Sequence, residues 1–142
     1  LRFFRKSGGD ATLQSDPITR AEYIELDIEQ LAERLATLVP EAHLAFLESF
    51  EDMIVLGDYA FVHAGIRPGV PLSEQRKSDL RWIRDEFVGQ RGDLEKVIVY
   101  GHTIYDDIDE RGSRIGIDTG AYASGKLTAI GLEGGERWYL QT

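Results

Sequence analysis

Two short segments of this 142-residue chain each run an apolar stretch into a histidine with glycine close by: Phe61-Val62-His63-Ala64-Gly65 and Val99-Tyr100-Gly101-His102-Thr103. Such a run reads as a buried strand. The residue just past its end then lies on the carboxyl edge of the sheet, where open α/β sheets bind their ligands. Glycine beside the histidine leaves room for backbone, imidazole and a bound ion to approach one another. Two strand ends of this kind predict two rings aimed at one point, and neutral imidazole suits manganese, iron, zinc or nickel. The competing reading is a pair of buried, hydrogen-bonded core histidines. The remaining histidine, His43, stands among charged neighbours and reads as a solvated helix residue.

Other ligands are scarce, because the chain contains neither cysteine nor asparagine. It also begins at Leu1, so we expect it to be the later part of a larger protein. At 142 residues and 42% hydrophobic it is long enough to bury a core. A net charge of −9 argues against nonspecific binding to nucleic acid or an anionic membrane surface. A polyanionic substrate would therefore need locally placed arginine or metal. No apolar run approaches the roughly 20 residues that span a bilayer, no secretory leader is evident, and the expected location is cytoplasmic.

Residues 1–51 are expected to be mainly helical and residues 52–142 mainly β. Asp27 and Gln30 form a variant capping box, and Ile28, Leu31, Leu35 and Leu38 share one face of a helix running to about Val39. Pro40 ends that helix and begins another. Gly57-Asp58 is a favoured two-residue turn between strands 53–56 and 59–62. A short helix is expected from Ser78 to about Phe87. Strands are expected at 96–100, 114–118, 126–132 and 137–140, the last two joined by Gly134-Gly135. Gly8-Gly9-Asp10-Ala11-Thr12 is glycine-rich but lacks the Gly-x-x-x-x-Gly-Lys pattern of a nucleotide P-loop.

In Trp82-Ile83-Arg84 the guanidinium lies two residues from a large aromatic side chain, which we expect to anchor the backbone while the planar fork engages phosphate oxygens. The alternative is a surface arginine paired with Asp85 or Glu86. Arg67, close to His63 and before Pro68, is a second candidate contact, and Arg81 a weaker one. Asp118 and Thr119, in Asp118-Thr119-Gly120-Ala121, are expected to satisfy loop backbone groups and to support the His102 loop from behind. Tyr122 is placed at the mouth.

Taken in order, Gly57-Asp58-Tyr59-Ala60-Phe61-Val62-His63-Ala64-Gly65-Ile66-Arg67-Pro68-Gly69, Asp79-Leu80-Arg81-Trp82-Ile83-Arg84, Tyr100-Gly101-His102-Thr103 and Ile117-Asp118-Thr119-Gly120-Ala121 resemble the bacterial branch of the phosphoprotein phosphatase family of dinuclear metallophosphoesterases. The resemblance covers roughly the last two thirds of the chain. It implies an α+β fold, the C-terminal part of a four-layered αββα sandwich. It implies two divalent metal ions, manganese first, with His63 and His102 on the same one, and a phosphate-binding arginine at Arg84. The family's N-terminal signatures Gly-Asp-x-His-Gly, Gly-Asp-x-x-Asp-Arg-Gly and Gly-Asn-His-Glu, which carry the other ligands and the general acid, do not occur here. The chain alone is therefore expected to be inactive, with its exposed sheet prone to self-association.

The implied activity is hydrolysis of a phosphoric ester on a phosphoserine or phosphothreonine protein, or on a small phosphate ester. A dinucleoside polyphosphate is the alternative substrate. A reading of another class is a noncatalytic interaction module, since a pseudoenzyme would also lack those signatures.

Overall fold

The computed structural model describes Gly8, Gly9, Ala11 and residues 19–142, in a chain that divides into two compact units, 1–50 and 51–142. Asp10 and Thr12 of the glycine-rich stretch from Gly8 to Thr12 lie outside the described residues.

Within residues 19–50 the first unit holds the helices α1 (Arg20–Glu25), α2 (Ile28–Leu38) and α3 (Glu41–Glu48). Thr19 caps α1 in a full capping box with Glu22, a local Thr-x-x-Glu signal. At α2, Asp27 Oδ1 accepts from the Gln30 N–H at 2.9 Å and the Asp27 N–H donates to Gln30 Oε1 at 3.0 Å, as the sequence predicts. Leu31 is buried, whereas the side chains of Ile28, Leu35 and Leu38 lie outside the described residues. Pro40 stands at the N-cap of α3 and His43 is exposed on it.

The second unit is built on a five-stranded mixed sheet ordered β1-β2-β3-β5-β4, from β1 (Met53–Leu56), β2 (Tyr59–Val62), β3 (Val97–Tyr100), β4 (Asp109–Arg111) and β5 (Arg114–Gly116). The Gly57-Asp58 turn joins β1 and β2 in the expected register, with Leu56 opposite Tyr59. β2, β3 and β5 run parallel, so their carboxyl ends emerge side by side. A separate antiparallel hairpin, β6 (Thr128–Glu133) and β7 (Glu136–Gln141), turns at Gly134-Gly135.

The expected helix from Ser78 to Phe87 is instead two short ones, α4 (Lys77–Trp82) and α5 (Asp85–Val88). Ile83 breaks it in an extended conformation, which buries its side chain to 4% exposure. One face of the sheet is covered by Leu80, Ile83 and Phe87 of this region, against Ala60, Ile98 and Tyr100. Buried Arg114 also lies on this face, donating to the Phe87 carbonyl at 2.8 Å with its guanidinium over the Phe87 ring. Gly65 meets the same ring. Its φ is +152°, and a Cβ there would run into Phe87, so the glycine is required by packing and not by an ion.

The edge strand β1 is less protected, and its Ile54, Val55 and Leu56 remain 49, 46 and 63% exposed. No helix among the described residues is long and apolar enough to cross a membrane.

Candidate functional site

His63 follows the last residue of β2, His102 lies two residues past β3, and Asp118 two past β5. Because these three strands are neighbours and parallel, the three residues arrive at one edge. His63 Nε2 and His102 Nδ1 stand 3.2 Å apart, with ring centroids 4.9 Å apart. That separation suits a hydrogen bond between two imidazoles. It also suits two adjacent ligands of one ion, each about 2.0–2.2 Å from the metal.

The His102 loop is closed tightly. Gly101 N–H donates to the His63 carbonyl at 2.9 Å, tying the two strand ends together, and Thr103 N–H donates to the Gly101 carbonyl at 2.7 Å. His102, the central residue of that three-residue turn, has φ +64°, and no other described residue apart from glycine has a positive φ. Such a conformation costs about 1–3 kcal/mol and is characteristic of sites where a side chain must be aimed. At Gly101 a side-chain Cβ would make ordinary contacts with Asp118 and the His63 carbonyl, so space does not demand glycine there.

His102 Nε2 is buried and has no hydrogen-bond partner among the described residues. Burial lowers the pKa of His102 below the usual histidine value, assisted by the nearby Arg84 and His63 charges and opposed by Asp118. The shift favours the neutral ring, the form that offers a lone pair to a metal. Asp118 Oδ1 accepts from the Gly120 N–H at 3.0 Å, and the Asp118 carbonyl accepts from Tyr105 N–H at 3.0 Å. Thr119 Oγ1 donates to the Lys126 carbonyl at 2.6 Å and is 2.8 Å from Thr128 Oγ1. Asp118 thus ties the loop after β5 to the segment that follows His102, and Thr119 fastens it onto β6, beside a cleft of about 210 Å³ that His63 and His102 also line.

Arg84 Nη1 donates to the His102 carbonyl at 2.8 Å. It stands just after the break at Ile83, as the N-cap of α5. Trp82 is not the anchor anticipated from the sequence. It is 63% exposed, and Ile83 takes the buried position. Its ring lies edge-on to His102 with centroids 5.7 Å apart. Arg67 is drawn elsewhere: its Nε and Nη2 donate to the two Asp79 carboxylate oxygens at 2.9 and 2.8 Å, and these hydrogen bonds, helped by the guanidinium charge, hold that carboxyl below its usual pKa. Arg81 pairs with Asp52, the residue before β1. Tyr122, on the short helix α6 (Ala121–Ser124), is 88% exposed. The Arg67–Asp79 pair was missed because its partners lie twelve residues apart across a loop, with no periodicity to connect them.

Among the described residues, no cluster of three or more histidine, cysteine, aspartate or glutamate side chains is arranged to hold a metal. The two imidazoles fit a metal as a half-set of ligands. No protein-family model matches the sequence, and no curated protein matches it. The structure does match a solved one, “Crystal structure of a putative diadenosine tetraphosphatase”, with a TM-score of 0.62 at 20% identity, over 99% of this chain and 71% of that one. The likeness establishes a shared fold, mixed α/β with a mixed sheet.

Proposed function

We propose that this chain carries half of a metal-dependent phosphoester hydrolase site, with His63 and His102 as ligands of one divalent ion. The observation that carries the reading is the convergence of His63 Nε2 and His102 Nδ1 to 3.2 Å at the carboxyl edge of the parallel strands. The shared fold agrees with it. Manganese is our first choice of metal, with iron, zinc or nickel as alternatives, in a two-metal centre.

A bound metal would supply Lewis acidity and an activated water. The tight turn aims the His102 ring, burial favours its neutral form, and Arg84 is held against the same loop, where its remaining guanidinium N–H groups can bind phosphate oxygens. Arg67 stands one step further out with its fork braced by Asp79. Asp118 and Thr119 hold the β5 loop under the histidines. Stable metal sites need three or four protein ligands. The described residues offer two, so we place the others, and the general acid, outside them, in a four-layered sandwich of which this is a part. The apolar edge strand β1 is the surface through which we expect incomplete chains to associate.

A phosphorylated protein is the favoured substrate. The name of the structural neighbour is the one observation on the side of a dinucleoside polyphosphate. Hydrolysis of p-nitrophenyl phosphate with added manganese tests the reaction class. The 142-residue chain alone is expected to remain at the buffer rate, and protein that supplies the missing ligands to it is expected to turn substrate over. Turnover by the chain alone would refute the half-site. Inactivity of every longer form with all four metals would leave a noncatalytic interaction module.

A further inference from the structure

The hydrolytic reading gives Trp82 no task, and yet its surroundings are unusual. It ends α4 with its indole 63% exposed, while Leu80 and Ile83 on either side are both buried to 4%. The exposed ring touches His102 at its edge and walls an open groove of about 550 Å³, which passes Arg84 and Asp85 to reach Glu86 and Arg67. A groove of that size accepts a drug-sized ligand or a few peptide residues.

The charges along it discriminate between occupants. Arg67 is neutralised by its two hydrogen bonds to Asp79. Arg84 points back to the His102 carbonyl. Glu86, 64% exposed, has only a 3.8 Å contact with the outer edge of Arg67, and Asp85 is exposed with no ion pair among the described residues. Beyond Arg84 the groove therefore offers an aromatic face and two carboxylates. An indole face attracts cations. A polyphosphate chain would instead carry its negative charges towards those carboxylates, on a protein of net charge −9.

We propose that this groove selects phosphorylated peptides with an arginine or lysine near the phosphorylated residue, Trp82 serving as the platform for the cation and Asp85 and Glu86 as its counter-charges. The inference rests on the phosphoester reading above. With the phosphate at the histidine pair, the contact between the His102 and Trp82 rings, 5.7 Å between centroids, keeps the cation within a few residues of the phosphorylated one on an extended peptide, which rises about 3.3 Å per residue.

Fluorescence anisotropy with the whole protein and manganese compares three labelled ligands: a phosphoserine peptide with arginine two residues away, the same peptide with glutamine there, and a nonhydrolysable dinucleoside polyphosphate. The arginine peptide is expected to bind about tenfold more tightly than its glutamine counterpart, more so at low salt. That ratio is expected to fall towards one in Trp82→Ala and in the Asp85→Asn, Glu86→Gln double variant. The double variant changes only exposed side chains, so it reports even if loss of the indole disturbs the fold. Equal affinities for the two peptides, an unchanged ratio in the double variant, or tightest binding of the dinucleoside polyphosphate would each overturn the inference. None of these depends on turnover, whereas failure of the hydrolytic reading is seen separately with p-nitrophenyl phosphate.

Discussion

His102→Ala is expected to lower metal-dependent phosphoester hydrolysis by at least about 10²-fold in kcat, measured with p-nitrophenyl phosphate in protein that carries the complete ligand set. The substitution removes one of two converging imidazoles. It also removes the ring that the strained turn, with φ +64°, exists to aim. Because alanine disfavours that backbone conformation, the turn is expected to relax and loosen the carbonyl that Arg84 grips at 2.8 Å. Ligand and phosphate contact are lost together, so the effect should fall on kcat more than on KM. A variant within threefold of the parent rate would show that His102 is a core histidine and nothing more.

Gly65→Ala is expected to be the most damaging small substitution for stability, by about 2–4 kcal/mol in urea unfolding. Two costs combine: a side chain forced into φ +152°, and a methyl group driven into the ring of fully buried Phe87. The ring has little room to give, being edge-on to Tyr100 at 4.9 Å with Arg114 on its face. A loss below about 0.5 kcal/mol would mean that Phe87 can shift and that the packing of α5 on the sheet is looser than described.

Gly65 also shows where the sequence misled. Its place beside His63 suggested room for an ion, and the space belongs to a phenylalanine 22 positions later in the chain. Local signals were legible wherever the physics is local. The Gly57-Asp58 turn fixes the β1–β2 register through backbone geometry alone, and the Asp27–Gln30 box starts α2 with its own side chains. The histidines could be read because a strand that ends in a polar residue must deliver it to an edge.

What could not be read depends on distant partners. β4, Asp109-Glu110-Arg111, has no apolar pattern. It pairs with β5, and Glu110 accepts from Arg137 Nη1 at 2.7 Å and the Tyr139 hydroxyl at 2.6 Å on the terminal hairpin. The break at Ile83 likewise follows from burying one side chain against the sheet, which no helix-period count reveals. The same break exposes Trp82 and turns Arg84 towards His102. The geometry that matters most for the site was thus decided by tertiary packing.

The central claim is that His63 and His102 hold one ion in common. Zinc tests it most directly, because imidazole binds zinc more tightly than manganese and the ion can be located by anomalous scattering from soaked crystals. In crystals of protein that carries the complete ligand set, we predict one peak shared by the two rings, about 2.0–2.2 Å from both His63 Nε2 and His102 Nδ1, and lost in crystals of His102→Ala. Rings that stay hydrogen-bonded to each other at saturating zinc, or a peak on one histidine alone, would contradict the account.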